Sequence, residues 1–330
     1  MAKVVYFDQL GGPEVLKLGE KEVGAPGPRE VQIAVRALGL NRAEALFRSG
    51  SYIEQADLPS GIGLESAGII ESVGPEVRGF ARGDRVAVIP PISMRERPVH
   101  AERLNYPAES VVALPDNQSF VEAAATWMAY LTAFGALVEV AELRSDESVV
   151  ITAASSSVGL AAIQIVNALG GVPIAVTRND SKRSALLKAG AGHVITSDDN
   201  DVAAALRGLT GPHGPRIILD AVGGRLLPQL ISAAAAGGII LSYGAQDAVM
   251  SNLPPASLLA KSLTLRGYLV HELIRDPMKL NGATAFILEH LSSGALRPTI
   301  ARTFPLDDIC AAAAFLESGD QIGKVVVKIK

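Results

Sequence analysis

Cysteine is almost absent from this chain of 330 residues: only Cys310 occurs, within DDICAAAAFLE. One thiol excludes an internal disulfide and a multi-cysteine metal cluster, and its alanine-rich surroundings read as a packed helix. Long apolar runs are also missing. No window reaches the length of a membrane span without a Gly, Pro or charge intervening, and MAKVVYFDQLGG reads as a strand lacking the apolar segment of a signal peptide. A cytoplasmic protein with no membrane partner is expected. The net charge of −4 is scattered rather than blocked, and no basic stripe interleaved with aromatics argues for a nucleic-acid partner. The histidines, His100, His193, His213, His271 and His290, show no paired spacing, so none is assigned as a base or ligand.

What is present is core. An apolar fraction of 48% against 19% charged residues describes a well-packed globular protein, and the length fits two domains.

The most legible unit covers residues 147–182. A β-branched apolar run (147–152) is followed by the small side chains Ala153, Ala154, Ser155, Ser156 and Ser157, then by apolar residues at helical spacing to Leu169. Gly170 and Gly171 stop the helix, and a second buried strand (172–176) ends at Thr177, Arg178 and Asn179. This is a βαβ unit. A helix N-terminus offers unpaired N–H groups and partial positive charge, so small residues in front of it leave a place for phosphate. Glycine is scarce here, however, since only Gly159 matches the final position of GxGxxG. We assign Ser155, Ser156, Ser157 and Val158 to the pyrophosphate. At the second strand end a carboxylate would read a ribose 2′-hydroxyl and cations a 2′-phosphate. Thr177, Arg178 and Lys182 therefore indicate NADP(H), with Asp180 expected as the N-cap of the next helix.

Residues 1–125 read as β-rich, with strands at 3–7, 30–37, 67–73 and 85–89 between Gly- and Pro-rich turns. Residues 120–140 read as one or two helices. Strands then alternate with helices at 148–152, 172–176, 193–196, 216–220, 238–243 and 263–269, which predicts a Rossmann-type, doubly wound parallel sheet in an α/β protein. Helices are expected at 276–293 and 306–317. The final GKVVVKIK cannot join the parallel sheet without another crossover, so it is assigned to the β-rich, partly closed barrel. The expected division is 1–125 with 271–330, and 126–270 as the dinucleotide-binding domain. Ser242, Tyr243, Gly244, Leu269 and Val270 follow later parallel strands and should border the nicotinamide, because ligands bind at the carboxyl ends of such strands.

In order along the chain, GLNRAEALFRSGSY, GIGLESAGIIESVG, FARGDRV, WMAYLTAFGAL, the βαβ unit, LDAVGG and GKVVVKIK together resemble the medium-chain dehydrogenase/reductase superfamily, specifically its zinc-independent quinone oxidoreductase branch. The resemblance covers nearly the whole chain. It implies a GroES-like first domain, cofactor in the cleft, and NADPH-dependent reduction of a small molecule, either a quinone or an α,β-unsaturated carbonyl. In zinc alcohol dehydrogenases a cysteine, a His-Glu pair and a second cysteine supply the catalytic metal site. Here Asn41 stands near the first cysteine, Leu64 replaces the histidine before Glu65, and Met128 is near the later cysteine, while ISMRERPVHAERLN replaces the four-cysteine loop. Too few ligands remain for zinc.

The resemblance places Asn41 and Tyr52 facing the nicotinamide, which makes them the candidate catalytic residues. Asn41 would orient the cofactor amide or ribose, or donate to the substrate oxygen; as the residue before a helix it also suits an N-cap. Tyr52 would line the pocket and donate its proton, or simply cover a loop. Thr132 could bond the cofactor or its own helix, and Trp127 reads as pocket wall or core. Lys324 could approach the ribose or phosphates, or be an ordinary strand-start lysine. Glu65 is expected to pair with an arginine. The exposed last strand predicts edge-to-edge pairing into a homodimer. Alternative functions are a metal-free alcohol dehydrogenase, an enoyl-thioester reductase, or a non-catalytic NADPH-binding sensor or structural protein.

Overall fold

The computed structural model describes residues 1–198, 201–247 and 249–330 and divides into two compact units, Met1–Met128 with Arg297–Lys330, and Ala129–Leu296. The first unit is β-rich. Its larger sheet has the order Ile300–Pro305, Lys324–Lys328, Glu30–Gly39, Glu65–Val73, Arg85–Val88, Val111–Ala113, with Arg103–Pro107 also pairing to Glu30–Gly39. Glu30–Gly39 alternates inward and outward before its last residues become wholly buried, the pattern of a strand with one face on the core. A smaller sheet joins Lys17–Lys21, Ala2–Phe7 and Ser60–Gly61.

The C-terminal strand Lys324–Lys328 returns to this unit as expected, antiparallel to Glu30–Gly39 and parallel to Ile300–Pro305. The helix Ile309–Ser318 supplies the crossover that the parallel pair requires. Strands Lys17–Lys21, Ser60–Gly61, Arg103–Pro107 and Val111–Ala113 were not anticipated from the sequence. Lys17–Lys21 is mostly exposed and charged, so it has neither alternation nor an apolar run to identify it.

The second unit is a six-stranded parallel sheet in the order His193–Thr196, Val172–Thr177, Ser148–Ile151, Ile217–Asp220, Ile239–Ser242, Thr264–Gly267. All six lie within two residues of their expected ends. Val150, Ile174, Ile218 and Ile240 from the strands pack with Leu206, Leu230 and Ile231 from the helices Val202–Thr210 and Leu227–Ala233. Each such side chain contributes about 1.5–3 kcal/mol by leaving water. The order in which strands are added reverses between the adjacent parallel strands Ser148–Ile151 and Ile217–Asp220, so the carboxyl ends around that pair form the crevice where doubly wound sheets bind ligands.

Two expectations are corrected. Residues 271–296 belong to the second unit rather than the first. The helix Pro277–Ser293, capped by Asp276, turns Ala283, Ile287 and Leu291 inward, and Phe286 packs on Phe134 at a ring-centroid distance of 5.1 Å. The stretch expected as one or two helices is three pieces: Phe120–Ala123, Trp127–Phe134 and a π-helical Gly135–Val140. Among the described residues no helix is long and apolar enough to cross a membrane.

Candidate active site

In the second unit the turn after Ser148–Ile151 is built for close approach. Ala153 adopts φ +45° to turn the chain, and Ser156 caps the helix Ser157–Ala168 by accepting from the Gly159 N–H at 3.1 Å. A Cβ at Gly159 would lie 2.6 Å from Ala154 Cα and from its carbonyl oxygen, so the helix can sit this near the strand only with glycine. That single glycine is the one the fingerprint most needs for helix–strand packing. The Ser157 and Val158 N–H groups, in the first turn, have no carbonyl of their own helix to bond.

Lys182 reaches back across this turn, its ammonium donating to Ser155 Oγ at 3.2 Å. Arg178 is exposed immediately after the strand Val172–Thr177, whose last residue Thr177 is buried. The cap expected from Asp180 comes instead from Asn179, which accepts from the Ser181 N–H at 3.2 Å. Asp180 is engaged by Arg183. The Asp180 carboxylate is thus tied to a neighbouring cation rather than presented to a ribose.

Asp220, fully buried, organises the neighbouring strand end. It accepts from Thr152 Oγ1 at 2.7 Å and from the Val222 and Gly223 N–H groups at 3.0 Å. Tyr243 follows the next strand with its N–H on the Asp220 carbonyl at 2.9 Å. Its hydroxyl is buried and has no hydrogen-bond partner among the described residues. Burial first, and the Asp220 carboxylate second, raise its pKa; Ser156 acts on it in the opposite direction without reaching hydrogen-bond geometry. Ser242 Oγ bonds the Gly244 carbonyl at 3.4 Å, Val270 is buried, and Leu269 is 38% exposed. Thr132 is buried within Trp127–Phe134. An open helix N-terminus, a close-approach glycine, a lysine over the turn and an orphaned tyrosine hydroxyl fit a nucleotide's phosphates.

In the first unit the metal-like positions form a buried polar cluster. Lys324, 1% exposed, donates to Asn41 Oδ1 at 2.6 Å and to Glu65 Oε2. Asn41 Nδ2 faces Glu65 Oε2 at 3.1 Å, Glu44 Oε1 at 3.2 Å and the Gly39 carbonyl at 3.2 Å. Glu65 Oε1 accepts from the Met128 N–H at 2.9 Å, and Glu44 Oε1 from the Leu64 N–H at 3.1 Å. The cluster is tight: a Cβ on Gly39 would lie 1.8 Å from the Ala124 carbonyl oxygen and 2.9 Å from Lys324 Cε.

These contacts revise several assignments. Lys324 does begin a strand, and its ammonium is spent inside the unit on Asn41 and Glu65. Glu65 pairs with that lysine instead of an arginine. Asn41 is the N-cap of Arg42–Arg48 as expected, in a capping box with Glu44, which accepts the Asn41 N–H at 3.1 Å, and its side-chain oxygen also accepts from Lys324. Glu44 was missed in the sequence, although its place three residues after Asn41 is the capping-box spacing that could have found it. His100 was set aside, yet it is 3% exposed, with Nε2 3.6 Å from Glu44 Oε1 and without a hydrogen-bond partner among the described residues. Trp127 is core, 2% exposed.

Tyr52 lies half-buried just beyond this helix, its N–H on the Leu46 carbonyl at 3.1 Å. Burial, then the carboxylates of Glu54 and Glu44, raise its pKa, so the phenol is held neutral. Among the described residues no group of three or more His, Cys, Asp and Glu side chains could hold a metal ion.

Comparison with known proteins gives a consistent set of relatives. Residues 27–150 match the alcohol dehydrogenase GroES-like domain and residues 157–289 the zinc-binding dehydrogenase domain. Quinone oxidoreductase 1 of Escherichia coli K12 is 31% identical over 326 residues, covering 96% of this chain and 97% of that one. Quinone oxidoreductase of Pseudomonas aeruginosa is 32% identical over 330 residues and 99% of both chains. The crystal structure of E. coli quinone oxidoreductase complexed with NADPH superposes with a TM-score of 0.90 at 29% identity, covering 99% of this chain and all of that one.

Proposed function

The chain belongs to the medium-chain dehydrogenase/reductase superfamily, in its quinone oxidoreductase branch, and from that premise we propose that it is a zinc-independent, NADPH-dependent reductase of quinones or α,β-unsaturated carbonyls. The observation that carries the zinc-free part is the Lys324 ammonium on Glu65 and Asn41. The one acid left from the metal-binding pattern already has a cation, and Asn41, Leu64 and Met128 stand where zinc ligands would be needed.

The cofactor assignment follows from charge. Ser155, Ser156, Ser157 and Val158 receive the pyrophosphate at the helix N-terminus, with Lys182 above them. Arg178 and Lys182, with Thr177, read the 2′-phosphate, while Asp180 is held off by Arg183. Ser242, Tyr243, Gly244, Leu269 and Val270 would border the nicotinamide end, with the Tyr243 hydroxyl turned towards the Ser156 side of the phosphates.

NADPH, when bound, supplies the hydride; the protein's share is orientation and a proton. Asn41 would orient the amide or ribose of the bound cofactor. Tyr52, kept protonated by its surroundings, donates to the substrate oxygen as negative charge develops on it. The edge strand Thr264–Gly267, largely exposed, pairs with its counterpart in a homodimer.

The test is a panel of quinones, enones and enoyl thioesters titrated against NADPH absorbance after dialysis with a chelator. Turnover with a quinone or enone is expected. Turnover confined to enoyl thioesters, or activity that returns only with added zinc, would overturn the corresponding part.

A further inference from the structure

Tyr52 lies in a stretch that packing does little to hold. Between the helix Arg42–Arg48 and the strand Ser60–Gly61 the chain runs through irregular bends, and the apolar side chains of Ile53 and Leu58 are exposed. The N–H groups of Ser51 and Tyr52 bond the Leu46 carbonyl and fix where the stretch begins. Past the phenol, the tether is Glu54. Its carboxylate accepts the Ser93 hydroxyl on Oε1 and the Met94 N–H, at 3.0 Å, on Oε2. Ser93 Oγ accepts in turn from the Glu96 N–H at 3.0 Å, and the Arg97 N–H bonds the Ser93 carbonyl at 3.1 Å, closing a turn over 93–97. That turn is seated in the core by Met94, 1% exposed. Hydrogen bonds to an ionised carboxylate are roughly twice as strong as neutral ones, and Glu54 makes two of them from only two residues beyond Tyr52.

We propose that Glu54 is a positioning residue for Tyr52, tying the stretch 51–59 to the seated turn 93–97 and so fixing where the phenol hydroxyl meets the substrate oxygen. This rests on the reading that Tyr52 donates the proton. Glu54 acts through Tyr52 and touches neither substrate nor cofactor. Its charge has a second effect. Tyr52 faces Glu54 on its own stretch and Glu44 on the preceding helix, and after burial these two carboxylates raise its pKa. Arg95, 4.0 Å from Glu54 and 3.5 Å from Asp57, is the cation beside that carboxylate.

Two variants, assayed with NADPH and p-benzoquinone, separate position from charge. Glu54→Ala removes both and should lower kcat about tenfold, the scale of a displaced proton donor, while the KM for NADPH stays within about twofold. Glu54→Gln keeps an acceptor for the Met94 N–H and an N–H for Ser93, so kcat at neutral pH should stay near that of the wild type. Without the negative charge the phenol ionises more readily, so the alkaline fall in kcat should move to lower pH in that variant. In a Tyr52→Phe background the Glu54→Ala change should cost no further activity, because no phenol is left to position. A merely structural carboxylate would lower the melting temperature of both variants and move neither kcat nor the alkaline limb. Wild-type kcat in Glu54→Ala, an alkaline limb that stays in place in Glu54→Gln, or losses that multiply in the double variant would overturn the inference alone. Full activity in Tyr52→Phe would overturn the donor reading beneath it.

Discussion

Tyr52 is the residue on which proton transfer depends, and its surroundings set the sign of the pH response. Its pKa is raised by burial, then by Glu54 and Glu44, so the donor form persists through neutral pH and is lost only above the ordinary tyrosine value of about 10. Turnover should therefore be flat in this limb near neutrality and fall in strong alkali. Tyr52→Phe is expected to lower kcat about 10- to 100-fold with little change in NADPH affinity and to abolish the alkaline limb; unchanged kcat would show that the ring merely covers a loop. The buried Lys324–Glu65 pair has a different signature. Removing one partner alone strands the other charge, and Glu65→Leu is expected to destabilise the protein by about 3–5 kcal/mol in denaturant melts. Tyr52 could be picked out through the family resemblance, but the role of Lys324 could not. Residues 41, 65 and 324 are distant in sequence, and GKVVVKIK gives no local sign that its first lysine is sealed inside.

At the scale of elements, the strand–turn–helix of residues 148–168 is both the most readable and the most constrained part of the chain. Buried parallel strands appear as continuous apolar runs, which is why SVVI, VPIAVT, IILD and IILS were found nearly to the residue. Short strands such as Lys17–Lys21 draw their order from pairing partners rather than from their own composition. Gly159→Ala should cost about 1–3 kcal/mol, since its Cβ would meet Ala154 backbone that cannot yield without moving the turn, and NADPH binding should weaken in step. At the base of the same strand, Arg216 grips Glu147 and also donates to the Ala141 carbonyl at 2.9 Å. The arginine hydrogen bond is the main cause of the lowered Glu147 pKa. This stability is present above the unfolded carboxylate pKa and disappears as pH falls through the folded one. Glu147→Gln should thus be about 1 kcal/mol less stable at neutral pH, with the deficit closing below about pH 4. A deficit independent of pH would place the effect elsewhere.

For the whole molecule, the division of labour is a nucleotide unit with a readable fingerprint and a β-rich unit whose chemistry becomes legible only when folded. The boundary near residue 296 was missed because the helix Pro277–Ser293 follows the last parallel strand, where the alternation that marks the nucleotide fold has already ended; contacts such as Phe286 on Phe134 and the Lys279–Glu139 ion pair assign it. Edge pairing of Thr264–Gly267 predicts twice the chain's mass in light scattering, and a monomer would contradict it. Elemental analysis should find no stoichiometric zinc linked to activity. The central claim is NADPH-dependent reduction, and it is tested most directly by the ratio of kcat/KM for NADPH to that for NADH, measured with p-benzoquinone on the wild type and on Arg178→Ala. The wild type should favour NADPH by about tenfold or more, and the variant should bring the ratio near one. A wild-type ratio at or below one, or no oxidation of NADPH at all, would contradict it.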